Sequence, residues 1–202
     1  MTEALKAEAQ RITLTPPVSE RDHAQGLATA AITLVEYGDY HDPQCAAAQR
    51  WIKALQARMG DRLLLVFRHF PASSLFPHAA EAAEAAGRQG RFWGMYDTLF
   101  EHQSALGNGH LVEYARDLGL DMSQFLRDMT GRVSAERVWL DLASGRRSGV
   151  QDTPTFFVNG VRQSGSWKEA LASVSAIPHE DGEQVGRWAN DGAPPALDGT
   201  DE

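Results

Sequence analysis

The sequence predicts an α/β protein in which a βαβ unit is followed by a run of helices, then by a β-hairpin and a closing helix. Three observations carry that expectation. A β-branched apolar run, "AITLVEYG", has no helical spacing and reads as a buried strand. A proline-opened, glycine-closed amphipathic stretch follows it and leads into a second apolar run, "LLLVFR". Near the far end, "TPTFFVNGVRQSG" places an Asn-Gly turn between two short extended segments.

Taken in order, residues 1–30 are polar, contain Pro16 and Pro17, and read as a leader with at most one short strand near Ile12 to Leu14. Ala31 to Gly38 is the first buried strand. Pro43 then opens a helix on which Ala47, Trp51, Ala54, Leu55 and Met59 fall at three- and four-residue spacing, and Gly60 stops it. Leu63 to Arg68 is the second strand, ended by Pro71; a helical crossover of this length makes the pair parallel.

A multi-helix insertion occupies about residues 72–148. Pro77 sits at a first helical position before the strong helix formers of "HAAEAAEAAGRQG". Phe92, Trp93, Tyr96, Leu99 and Phe100 make one face of the next helix. "HLVEYARDLG", "DMSQFLRDMTG" and "SAERVWLDLASG" are three more, each read as closed by its glycine. The hairpin turns at Asn159–Gly160, and "SWKEALASVSAI" is a final helix capped by Ser166. The main domain is therefore expected over residues 31–177, with an acidic, Gly- and Pro-rich tail over 178–202 predicted to be disordered.

Composition narrows the function. Nineteen Lys and Arg against 27 Asp and Glu give a formal charge of −8, which argues against a nucleic acid partner. No run approaches the ~20 apolar residues of a membrane span. The first residues, "MTEALKAEAQRITLT", carry acids and no apolar core segment, so no secretory signal is expected and a cytoplasmic location is predicted. A single cysteine, Cys45, excludes an internal disulfide. No Gly-rich phosphate loop appears, and no cofactor is predicted.

The chemistry concentrates in "EYGDYHDPQC". Asp42 before Pro43 is a strong helix start, because the carboxylate accepts from free backbone N–H groups and proline has no N–H to leave unpaired. Cys45 lies three positions on, sharing a face of the first turn with Asp42 at the spacing of a Cys-x-x-Cys motif whose first sulfur is replaced. Two readings of Cys45 stand at this point: a buried small hydrophobe, or a reactive single thiol that forms a glutathione adduct or an intermolecular disulfide. His41 and Cys45 are spaced as helical zinc ligands, but no further ligands are evident and no metal is assigned. His69, His78, His102 and His110 read as scattered surface or cap residues.

"TLVEYGDYHDPQC", "FRHFP", "HAAEAAEAAGRQGRFWGMYDTLFEHQ" and "SGVQDTPTFFVNG", together with the leader "LTPPVSERDHAQG", resemble the DsbA-like branch of the thioredoxin superfamily. The likeness is to the form seen alone or fused to the end of sodium/proton antiporters, and it covers about Thr15 to Ala176. It implies a thioredoxin fold, βαβ plus ββα, with a helical insertion. It puts the family's nucleophilic cysteine at Asp42, its resolving cysteine at Cys45, its cis-proline at Pro154 after Thr153, and its buried acid at Glu36. Asp152 stands where the family's usual glycine precedes the Thr-Pro pair.

The family activity, thiol–disulfide exchange, needs a thiolate to attack and form a mixed disulfide, which a carboxylate cannot do. Loss of dithiol exchange is therefore expected, with catalytic roles left to Cys45, Asp42 and Glu36 and the question of enzyme activity open. Thr153, Pro154, Pro43 and Gln44 are the candidate residues for binding an extended peptide or a protein partner. The alternative is single-thiol redox chemistry or a glutathione-dependent transferase or isomerase of the kind found elsewhere in the superfamily. Asp42 suits that alternative poorly, because a carboxylate repels a glutathione thiolate.

Overall fold

The computed structural model describes residues 12–72 and 78–177; Pro77 and the acidic tail from His179 lie outside them. Among the described residues, five strands form one sheet: β1 (His23–Gln25), β2 (Ile32–Gly38), β3 (Leu63–His69), β4 (Thr155–Val158) and β5 (Val161–Arg162). Their order is β1-β3-β2-β4-β5, with β2 parallel to β3 and every other pairing antiparallel. The parallel pair is the expected βαβ unit, closed by α1 (Pro43–Met59).

β2 and β3 are mostly apolar because the sheet is covered on both faces, with Glu36, Arg68 and His69 as buried exceptions. On one face, Ile32, Leu34, Leu65 and Phe156 pack against Trp51, Ile52 and Leu55 of α1 and against Leu171 and Val174 of α7 (Trp167–Ser175). On the other, Val35, Tyr37, Val66 and Phe157 pack with Leu14 and Val150. Of the face expected on α1, Trp51, Ala54, Leu55 and Met59 are buried, whereas Ala47 is half-buried and Cys45, Ala48, Gln49 and Ile52 are buried as well.

Among the described residues, five helices form the insertion: α2 (His78–Gly87), α3 (Phe92–Glu101), α4 (Asn108–Asp117), α5 (Met122–Met129) and α6 (Arg132–Arg147). Their apolar faces enclose a second core of Ala82, Ala86, Phe92, Met95, Leu99 and Phe125, which reaches Tyr40, Cys45 and Phe67 at the sheet. Gly119 closes α4 with a positive φ of 71°, as expected. Two other glycines act differently. Gly131 caps the start of α6, and Gly145 lies inside α6 instead of ending it. A Cβ at Gly145 would stand 2.6 Å from the Phe70 ring, so close packing and not helix termination requires glycine there.

The leader is more structured than its polarity suggests. Thr13 makes a single bridge to Val161, and β1, which nothing in the sequence indicated, extends the sheet beyond β3. Buried Arg68 fixes this segment: its Nε donates to Asp22 at 2.8 Å and its Nη1 to the Pro16 carbonyl at 3.0 Å and the Tyr37 hydroxyl at 2.9 Å. The hairpin turns through Asn159 and Gly160, both at positive φ, which is the type I′ turn that Asn-Gly favours. Ser166 caps α7 in a reciprocal capping box with Glu169.

Candidate functional site

The start of α1 sits over the C-terminal end of β2, so the "HDPQC" turn and Glu36 are stacked by the fold. Asp42 is the N-cap: its Oδ1 accepts from the Gln44 backbone N–H at 2.8 Å. Its Oδ2 accepts from the Thr153 hydroxyl at 2.6 Å, joining the helix start to the loop before β4. The Thr153–Pro154 peptide bond in that loop is cis. Gln103 steadies the turn from the insertion side, donating to the carbonyls of Tyr40 at 2.8 Å and Asp42 at 2.9 Å.

Cys45 lies beneath Asp42 with no exposed surface. Its thiol is 3.7 Å from Asp42 Oδ2, and its sulfur accepts from the Asp39 backbone N–H at 3.5 Å. Burial, with the negative charges of Glu36 and Asp42 behind it, pushes the thiol far above its ordinary range. Buried and held as a neutral thiol, the sulfur packs as a small hydrophobe in the core. Of the two readings of Cys45, the geometry favours the buried one.

Glu36 is also fully buried, on the β2 face that looks toward α1 and α3. Its Oε2 accepts from the Tyr96 hydroxyl at 3.2 Å, and its Oε1 has no partner. Burial drives its pKa up to about 8; the Tyr96 bond pulls it down, and the charge of Asp42 adds to the rise. At neutral pH this acid is protonated.

Beside the turn, a groove of about 650 Å³ is lined by Gln44, Thr153, Pro154, Arg162 and Trp167, among others. Trp167 Nε1 donates to Gln44 Oε1 at 2.7 Å, so the first turns of α1 and α7 meet at its edge. Asp152 also lines the groove, and its carbonyl accepts from the Thr155 hydroxyl at 2.8 Å. The fold thus brings Gln44, Thr153 and Pro154 together around one cleft. Asp42, Pro43 and Cys45 do not line it.

Spacing gave no sign of Tyr96, Gln103 or Trp167, since they reach the site from α3, from the turn after it and from the start of α7. His102 and His110 are exposed as expected, but His69 is buried. Among the described residues, no helix is long and apolar enough to cross a membrane.

A family model described as thioredoxin matches residues 18–175. Over 155 residues the chain is 46% identical to a protein named Na(+)/H(+) antiporter NhaA from Herminiimonas arsenicoxydans, covering 76% of this chain and 25% of that protein. A Salinispora arenicola protein named Na(+)/H(+) antiporter NhaA 1 is 42% identical over 165 residues, covering 80% and 25%. The chain therefore spans about a quarter of the length of these curated relatives. Among solved structures, a thioredoxin-like oxidoreductase from Silicibacter pomeroyi superposes with a TM-score of 0.68 at 25% identity, covering 77% of this chain and 91% of that one. Oxidised BdbD from Bacillus subtilis gives 0.69 at 21% identity, covering 81% and 97%. With the family model matching most of the chain and these structures superposing over most of it, the chain belongs to the thioredoxin family and has its DsbA-like fold.

Proposed function

We propose that this chain is a DsbA-like protein that has lost dithiol exchange and uses the groove beside Pro154 to bind an extended peptide or a protein partner. One observation carries the reading: the position of the attacking sulfur holds Asp42, whose carboxylate is committed to the α1 cap and to Thr153, over the chain's single, buried cysteine. Exchange requires an accessible thiolate and a second sulfur to resolve the mixed disulfide. Neither is supplied by Asp42 above a buried neutral thiol.

The binding half of the proposal rests on the cleft. Gln44 and Arg162 offer polar groups, Trp167 and Pro154 offer apolar surface, and the combination suits a chain with mixed side chains. The single-thiol and glutathione alternatives need Cys45 to be reached from solvent, and its burial weighs against both.

The natural protein is expected to show no turnover in an insulin-disulfide reduction assay. Asp42→Cys is expected to create measurable reductase activity, because it returns a sulfur to the helix start directly above Cys45. Clear turnover by the natural protein overturns the loss of exchange. For the groove, photo-crosslinking of a peptide library is expected to label residues around Trp167. Labelling unchanged by Trp167→Ala would sink the binding site.

A further inference from the structure

Away from the Asp42 turn, one group of three metal-ligating side chains converges among the described residues: His23, His69 and Glu84. They come from three elements, β1, β3 and α2. His23 Nε2 and His69 Nε2 both lie 2.8 Å from Glu84 Oε1, and all three donor atoms fall within 4.8 Å of one another. The rings are held in place. His23 stacks on Phe92 with centroids 3.5 Å apart and an interplanar angle of 5°, and His69 is packed edge-on to Phe67 and Phe92. His69 and Glu84 are buried, whereas His23 keeps about a fifth of its side chain exposed and forms the outer wall.

We propose that His23, His69 and Glu84 form a binding site for a first-row divalent cation, with zinc as the best-fitting ion. Two imidazole nitrogens and one carboxylate oxygen suit zinc or iron(II) and not the all-oxygen preference of calcium or magnesium. Three protein donors leave a fourth position for water, and the partly exposed His23 provides the way in. On binding, the proton that each Nε2 shares with Glu84 moves to Nδ1 of the same ring, so the chain's net protonation need not change. His69 Nδ1 is buried with no hydrogen-bond partner, so the outer shell is incomplete on that side. The site is accordingly a labile one, weaker than a four-thiolate structural centre. Its effect is mechanical: the ion ties the leader strand and the insertion to the end of β3.

This inference stands apart from the proposed peptide groove. It is tested by titrating zinc into the chelator-treated full chain by calorimetry, with cobalt(II) absorption as a second readout. The wild type is expected to bind one zinc per chain and to give the visible bands of a four-coordinate cobalt centre. His23→Gln, at the solvent edge where folding tolerates change, is expected to weaken binding by more than about tenfold and abolish those bands. A variant in which the other five histidines, His41, His78, His102, His110 and His179, are all glutamine is expected to bind as the wild type does. Zinc binding that survives His23→Gln, that disappears in the five-histidine variant, or that never saturates overturns the site. It would leave the cluster as a purely hydrogen-bonded pin.

Discussion

Glu36 and Glu84 are both buried carboxyl groups beside the same aromatic core, and the protein holds them in opposite states. Glu36 is raised to about 8 and Glu84 lowered to about 2. Burial pushes both upward, so burial cannot be what separates them. Glu84 overcomes it with hydrogen bonds from His23 and His69, reinforced by any positive charge on those rings. Glu36 has one tyrosine hydroxyl, a bare Oε1, and the negative charge of Asp42 nearby. The lesson is that the number and kind of donors fix the charge of a buried acid. The region around Asp42 keeps a protonated acid, and the region around β1 keeps an ionised one in a hydrogen-bonded pin.

Glu36→Gln breaks that contrast most strongly. A folded pKa raised above the unfolded value means stability is fully present below about 4.5 and is lost as pH rises through about 8. The gap of about 3.5 units corresponds to about 4–5 kcal/mol once the group is ionised in both states. Denaturant melts should therefore show the variant more stable than wild type by about this amount at pH 9, and matching it at pH 4. A wild type that loses nothing between these pH values would show that Glu36 is stabilised as a carboxylate after all.

Glu84→Gln acts with the opposite sign. Its depressed pKa gives stability that is present above about 4.5 and lost as pH falls through about 2. With chelator present, the variant should be less stable than wild type by about 3 kcal/mol at pH 7, from a shift of about 2.5 units. That difference should shrink below pH 3. A constant deficit at all pH values would mean that Gln packs badly at this position and that the charge matters little.

The two acids also differ in how far the sequence announced them. A glutamate inside "ITLVEYG", a strand apolar on both faces, is anomalous by pattern alone, and the resemblance gave it a role. Asp42 was readable because Asp-Pro before an alanine-rich run is a helix start on local grounds. Glu84 had no such signal: it lies among strong helix formers, where glutamate is ordinary, and its partners are 61 and 15 positions away in the chain. β1 was hidden for a related reason, since three residues cannot display a period and only pairing with β3 makes them a strand. Gly145 misled because helix-ending and close-packing glycines look alike until the opposing ring of Phe70 is placed. The local devices were legible. The contacts that close over long stretches of chain were not.

The smallest change is also the most selective. Asp42→Asn keeps the cap, because asparagine Oδ1 can accept from the Gln44 N–H as aspartate does, with a stability change below about 1 kcal/mol. Its Nδ2 would face the Thr153 hydroxyl, which can switch from donor to acceptor and preserve the clasp. What disappears is the negative charge that adds to the rise of Glu36. The Glu36 titration point, followed by side-chain carboxyl carbon NMR, should therefore fall by less than about one unit while the fold stays as it is. An unmoved titration point would mean that burial alone sets the state of Glu36. Asp42 would then be a helix cap with no electrostatic hold on the acid beneath it.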